Sequence, residues 1–233
     1  MSHSGITLHP PSSKDRSLCE GTFDRQWFMG KWGVAWSTLS MWKGKKAQPH
    51  STYNSLGSDV IMSSKAIMSL AVPLLIPNIY LDVAITYTPI PGTDNHTKFE
   101  DLVEYRKQSA SDNSKPSSVK GVDTLTPGSN AATFDWKGSS YLFFVHSHWE
   151  VLGYGTDQVN GLEWAVTFFS KTLFTPAGID IYLRASPNTA NPNSQDTAIR
   201  ANLLQEIVKA VKGVQEGGVG EMAQEGFEVP GIV

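Results

Sequence analysis

From residue 31 onward the chain is built of short runs in which apolar and polar residues alternate. Alternation at period two turns one face of a strand to a core and the other to solvent. The runs lie at about 31–42, 79–88, 99–107, 118–125, 131–136, 141–154, 162–170 and 179–184. Turn-forming clusters separate them: Pro89-Ile90-Pro91-Gly92, Ser114-Lys115-Pro116, Thr126-Pro127-Gly128, Lys137-Gly138 and Pro176-Ala177-Gly178. Eight short strands joined by turns predict an antiparallel meander. The period then changes. Ile199, Leu203, Leu204, Ile207, Val208 and Val211 recur at helical spacing behind the capping run Ser194-Gln195-Asp196-Thr197. A helix to about Lys212 is expected. The segment from Gly44 to Asn78 breaks the rhythm and reads as a long connection with a candidate helix near 60–70. Long inserted loops tend to be lids or binding loops. Residues 1–22 read as a flexible arm, 23–212 as one domain and 213–233 as a flexible Gly-rich tail.

Within this pattern, Gly30-Lys31-Trp32 opens the first strand. A glycine lets the chain turn tightly into a strand, and the indole behind it can plug the bottom of a small barrel. The last strand-like run ends in Arg184, whose guanidinium could stack on that indole. Thr156-Asp157 follows the strand Trp149 to Gly153, and an aspartate there can fix a turn by accepting backbone N–H bonds. The order and spacing of these three places resemble the lipocalins of the calycin superfamily. The resemblance implies an all-β fold: an eight-stranded antiparallel up-and-down β-barrel with a C-terminal helix packed on its wall. It makes Gly30, Trp32, Asp157 and Arg184 the closure of one end. The stretch from Ser147-His148-Trp149-Glu150 through Thr172 to Asp180 is similar to lipocalin-like proteins predicted in fungi.

Composition narrows the picture. At 233 residues and 40% hydrophobic, the chain can bury a sizeable core. A net charge of -3 gives no reason to expect nucleic acid. The single cysteine, Cys19, excludes an internal disulfide framework. The start of the chain is polar, and Pro73 and Pro77 interrupt the apolar stretch from Ile67 to Ile79. A soluble, cytoplasmic protein with no membrane contact is therefore expected, as a monomer or homodimer. Asn95-His96-Thr97 fits a glycosylation sequon and reads as a chance match in a turn. No phosphate loop, dinucleotide fingerprint, nucleophile elbow or zinc pattern occurs, so neither metal nor cofactor is expected.

A barrel of this size encloses one small ligand. Alternation from Trp32 puts Val34, Trp36 and Thr38 on the same inner side, an aromatic wall suited to a flat apolar molecule. Phe144, Asp82 and Trp164 join them as candidate ligand contacts. In the sixth run, His146, His148 and Glu150 share one face, and Tyr141, Phe143, Val145, Ser147, Trp149 and Val151 share the other. Both faces are bulky, so parity leaves open which is inside. If the histidine face is inside, it is the candidate catalytic set for acid–base chemistry. Asp82, Thr86, Tyr87, Glu104, Tyr105, Asp135, Thr167, Asp180 and Tyr182 are further polar wall positions; a carboxyl buried among aromatics would hold its proton and could donate it. The resemblance implies two functions. One is a non-catalytic carrier of a hydrophobic ligand. The other is a cyclase or isomerase, of Diels–Alder type, acting on polyketide- or terpenoid-like intermediates of secondary metabolism. The absence of a catalytic motif agrees with chemistry done by preorganisation, and the catalytic reading is the one preferred.

Overall fold

The meander closes on itself. The computed structural model describes residues 5–43, 80–93, 97–107, 114–173, 175–187 and 196–231. Its strands are β1 (Gly30–Ser37), β2 (Tyr80–Pro89), β3 (Lys98–Lys107), β4 (Ser117–Leu125), β5 (Thr133–Gly138), β6 (His146–Asp157), β7 (Leu162–Phe169) and β8 (Gly178–Ala185). Each pairs antiparallel with its neighbour in sequence, and β1 pairs with both β8 and β2, which completes the circle. The candidate helix near 60–70 lies outside the described residues, as do Asn95 and His96 of the sequon.

Two helices frame the barrel. The single turn α1 (Arg25–Phe28) precedes β1, with Asp24 capping it by accepting from the Gln26 and Trp27 amides. The helix α2 (Thr197–Gly213) follows β8, capped by Asp196 in the same way. Its buried residues include Leu203, Leu204, Ile207 and Val211, the stripe expected from the spacing. This stripe packs on the outside of the barrel, over Ile179, Ile181 and Leu183 of β8 and Trp164 and Val166 of β7. Hence β7 and β8 are buried on both faces, one turned to the lumen and one to α2.

Several strand limits differ from the expected ones. β1 stops at Ser37 and the chain turns through Ser40–Lys43, which places Trp42 over the lumen instead of prolonging the strand. β6 starts only at His146, because Ser140–Leu142 forms a 3₁₀ turn. The two ends expected to be flexible pack against the barrel. In the arm, the His9 amide donates to the Leu152 carbonyl, and Leu18 is fully buried. In the tail, α3 (Val219–Met222) buries Val219 and β9 (Phe227–Glu228) pairs with β1.

One irregularity has consequences for the site. Val34 pairs with Tyr182, but the next pair is Trp36 with Ile181, so Ala35 is an extra residue in β1. A bulge of this kind inverts the facing of everything beyond it. Trp32 and Val34 point inward; Trp36 joins the outer layer under α2, and Ser37 returns to the lumen beside Asp180.

Candidate functional site: a closed end and a cavity above it

At the closed end the Arg184 guanidinium lies over the Trp32 ring, 3.7 Å from its centroid, and 5.3 Å from that of Trp27. Its Nη1 donates to the Met29 carbonyl at 2.7 Å and its Nη2 to the Trp27 carbonyl, while Nε donates to Glu163 at 2.6 Å. The second Glu163 oxygen accepts from Ser186. The Trp32 indole donates to the Phe28 carbonyl at 2.8 Å. Gly30 has φ +99°, and a Cβ there would stand 3.4 Å from Arg184 Nη1, so the glycine serves both the turn and the close approach. In the adjoining β6–β7 turn, Asp157 accepts from the Val159 and Asn160 amides.

Above this plug the lumen is filled by Phe28, Val34, Phe134 and Val151. Higher still it opens into a cavity of about 360 Å³, lined among others by Trp42, Tyr80, Tyr105, Trp136, Trp149 and Phe169. That is a volume in the range of about 300–1,000 Å³ common for ligand sites. Gly121 helps to form it. A Cβ at Gly121 would fall 2.1 Å from the Trp136 indole nitrogen, so only glycine lets that ring lie flat against β4.

Three carboxyls are buried in this lumen. Asp180, on the upper wall, accepts from the Ser37 hydroxyl at 2.5 Å and the Trp42 indole at 3.3 Å. Burial pushes it up to about 7, with those two donors pulling the other way. Asp101 lines the floor, and burial raises it too, against the pull of the Trp136 indole. Asp123 lies beneath, fully buried, accepting from the Trp149 indole at 2.6 Å. Burial and the adjacent Asp101 raise it well above the carboxylate range. The phenols of Tyr87 and Tyr182, also buried, are raised for the same first reason. At neutral pH this lumen can hold exchangeable protons next to an apolar guest. Among the described residues, no three His, Cys, Asp or Glu side chains converge as a metal site would require.

This is a lipocalin-like barrel. The assignment rests on the strand register and on the indole–guanidinium closure. No family model matches the chain, and no curated protein does. Solved structures similar to it include lobster apocrustacyanin A1, at 12% identity over 99% of this chain and 93% of that one, with a TM-score of 0.43. Apocrustacyanin C1 gives 13% identity, 100% and 94% coverage and a TM-score of 0.45. Apocrustacyanin C2 gives 11% identity, 100% and 94% coverage and 0.44. A likeness that distant carries nothing about ligand or activity.

The lipocalin-like barrel distributes the sequence candidates unevenly. The inner face of β6 carries Ser147, Trp149 and Val151, so the His146–His148–Glu150 face is the outer one. His148 Nδ1 pairs with Asp135 at 2.7 Å on the surface, and Glu150 accepts from the Ser12 amide of the arm at 2.7 Å. His146 is exposed at the cavity mouth. The three do not form a lumenal cluster. Trp36 and Trp164 belong to the outer layer under α2, Trp36 because of the bulge at Ala35 and Trp164 because β7 turns Ala165 inward. Thr38 is half-buried beyond the strand end, its hydroxyl accepting from the Ile179 amide. Phe144 is exposed beyond the 3₁₀ turn that precedes β6. Asp82 sits at a register shift in β2 with φ +54°, half-exposed, 3.8 Å from Arg106. Only Val34 of the expected ligand contacts is lumenal, and it lies in the packed layer below the cavity. Of the polar wall positions, Tyr87, Asp180, Tyr182 and Thr167 are buried inside. Asp101 and Asp123 had no signal in the strand pattern, since aspartate at an inner position reads as a solvent-facing residue.

Proposed function

We propose that the chain binds a small, largely apolar molecule in the barrel cavity and promotes its cyclisation or isomerisation, with Asp180 as the proton donor. The observation that carries this reading is an aromatic-walled cavity of about 360 Å³ with a carboxyl on its wall that burial has pushed up to about 7. A flat guest held between indoles and phenols has few orientations open to it. Holding reacting ends of one molecule in a near-attack geometry can supply up to about 7–11 kcal/mol of a barrier. Ring closures of the Diels–Alder type need little more than that. A protonated Asp180, kept in place by Ser37 and Trp42, can donate to a carbonyl or leaving hydroxyl of the guest and lower the barrier further. The acid role thus moves from the outer His146–Glu150 face to the lumen.

The test begins with mass spectrometry of small molecules that co-purify with the protein from its native host. The molecule so identified, or its uncyclised precursor, is then incubated with wild type and with Asp180→Asn. The proposal expects isomer formation by wild type and a fall of roughly 10²–10⁴-fold in the variant, with guest affinity kept. Equal rates would remove Asp180 from the chemistry. A guest bound and returned unaltered by wild type would make the barrel a carrier.

A further inference from the structure

Asp101 and Asp123 stand diagonally on the inner faces of β3 and β4, since Asp101 pairs with Gly121 and Asp123 with Phe99. Asp123 Oδ1 accepts from the Trp149 indole. Its Oδ2 and Asp101 Oδ1 are buried and meet no hydrogen-bonding partner. Asp101 and Asp123 are 7% and 0% exposed, and Asp101 forms part of the cavity floor. A buried polar atom left unsatisfied costs about 1–3 kcal/mol. Two on neighbouring carboxyls, one at the cavity floor and one just beneath it, are an expensive arrangement unless something brings donors to them.

Among the described residues lining the cavity there is neither lysine nor arginine. Arg184 is committed to Glu163 at the far end, with the packed aromatic layer between. The walls around the floor are instead the faces of Trp136, Trp149 and Tyr105, which attract positive charge through their ring quadrupoles. A carboxylate guest would be repelled by the floor, and a hydroxyl offers it one donor. A protonated primary amine offers three.

Resting on the cavity reading above, we propose that the natural guest is an apolar amine. Its protonated nitrogen sits at the floor formed by Asp101 with Asp123 behind it, and its ring system against the indoles. Burial raises both aspartates, so the pair can keep one proton and release another when a cation arrives.

Two probes of nearly equal shape test this: 9-(aminomethyl)anthracene and 9-ethylanthracene, titrated against the full-length protein by fluorescence. The proposal expects the amine to bind wild type at least tenfold more tightly than the ethyl compound. Asp101→Asn should erase that preference, while Asp135→Asn, a surface carboxyl, should keep it. Equal affinity of the two probes for wild type, a comparison that needs no variant, would overturn the amine while leaving an apolar-ligand cavity in place. Binding of neither probe would overturn both readings.

Discussion

Glu163 and Asp123 are buried carboxyls on the inner wall of the same barrel, and their surroundings could hardly differ more. Glu163, at the closed end, has Arg184 on one oxygen and Ser186 on the other. Asp123, at the cavity floor, has one indole donor, an acidic neighbour and an oxygen with no partner. Removing a carboxylate from water carries a similar penalty in both places. At the closed end the protein offsets it with its own guanidinium, and the result is a rigid plug. At the floor the protein leaves it uncompensated, which keeps a proton on the acid and a vacancy for a donor. One end closes the container; the other, on the proposed reading, serves its contents.

The largest expected effect breaks the closed end. Arg184→Ala leaves Glu163 buried without its cation and should lower stability by about 3–5 kcal/mol, read as a shift in urea midpoint. A shift below about 1 kcal/mol would mean that Glu163 does not depend on it. Trp36→Ala should have an effect of similar size, about 3–5 kcal/mol, by opening a void beneath α2. It should leave the affinity of 9-ethylanthracene unchanged; lost affinity would put Trp36 inside the barrel after all.

The floor and wall carboxyls should show the opposite pH behaviour to a salt-bridged acid. The unfolded Asp180 ionises near 3.8 and the folded one at about 7. Between those values the folded chain holds a proton that the unfolded chain has released. Stability therefore falls as pH rises from 3.8 to about 7 and levels off above, at about 1.4 kcal/mol per pH unit for one such group. Asp180→Asn should flatten part of that fall, measured as melting temperature against pH; an unaltered slope would count against a proton held there. Gly121→Ala drives a methyl into the Trp136 ring and should cost roughly 1–3 kcal/mol while weakening 9-ethylanthracene binding. Unaffected binding would show that Trp136 does not shape the cavity. The smallest effect belongs to His148→Gln, which removes an exposed imidazole–carboxylate hydrogen bond to Asp135 and should change stability by no more than about 1 kcal/mol. A much larger loss would mean that the pair holds the β5–β6 wall together.

The same contrast governs what could be read beforehand. Trp32, Arg184 and Asp157 were legible because each has a local chemical reason to stand where it does: a glycine-led strand entry, a cation for an indole, an acceptor in a turn. The apolar stripe of α2 was legible because helical spacing alone puts its members on one face. Trp36 was misplaced because nothing in Trp32-Gly33-Val34-Ala35-Trp36 marks Ala35 as the residue that β8 skips. The β6 histidines were ambiguous because both faces of that strand are covered, one by the lumen and one by the Ser12 arm and Asp135. Asp101 and Asp123 were invisible because a buried aspartate breaks the polarity rule that identifies inner positions.

By itself, then, the sequence determined an antiparallel meander of eight strands, its closed end and the helix that would lean on its outer wall. These follow from alternation and from pairs of residue types that attract. Only the tertiary structure decided which residues face the lumen and which acids meet there. That depends on register between strands far apart in the chain, where one extra residue reverses an inner face, and on ring closure, which brings β3, β4 and β8 around a space that no single segment encodes.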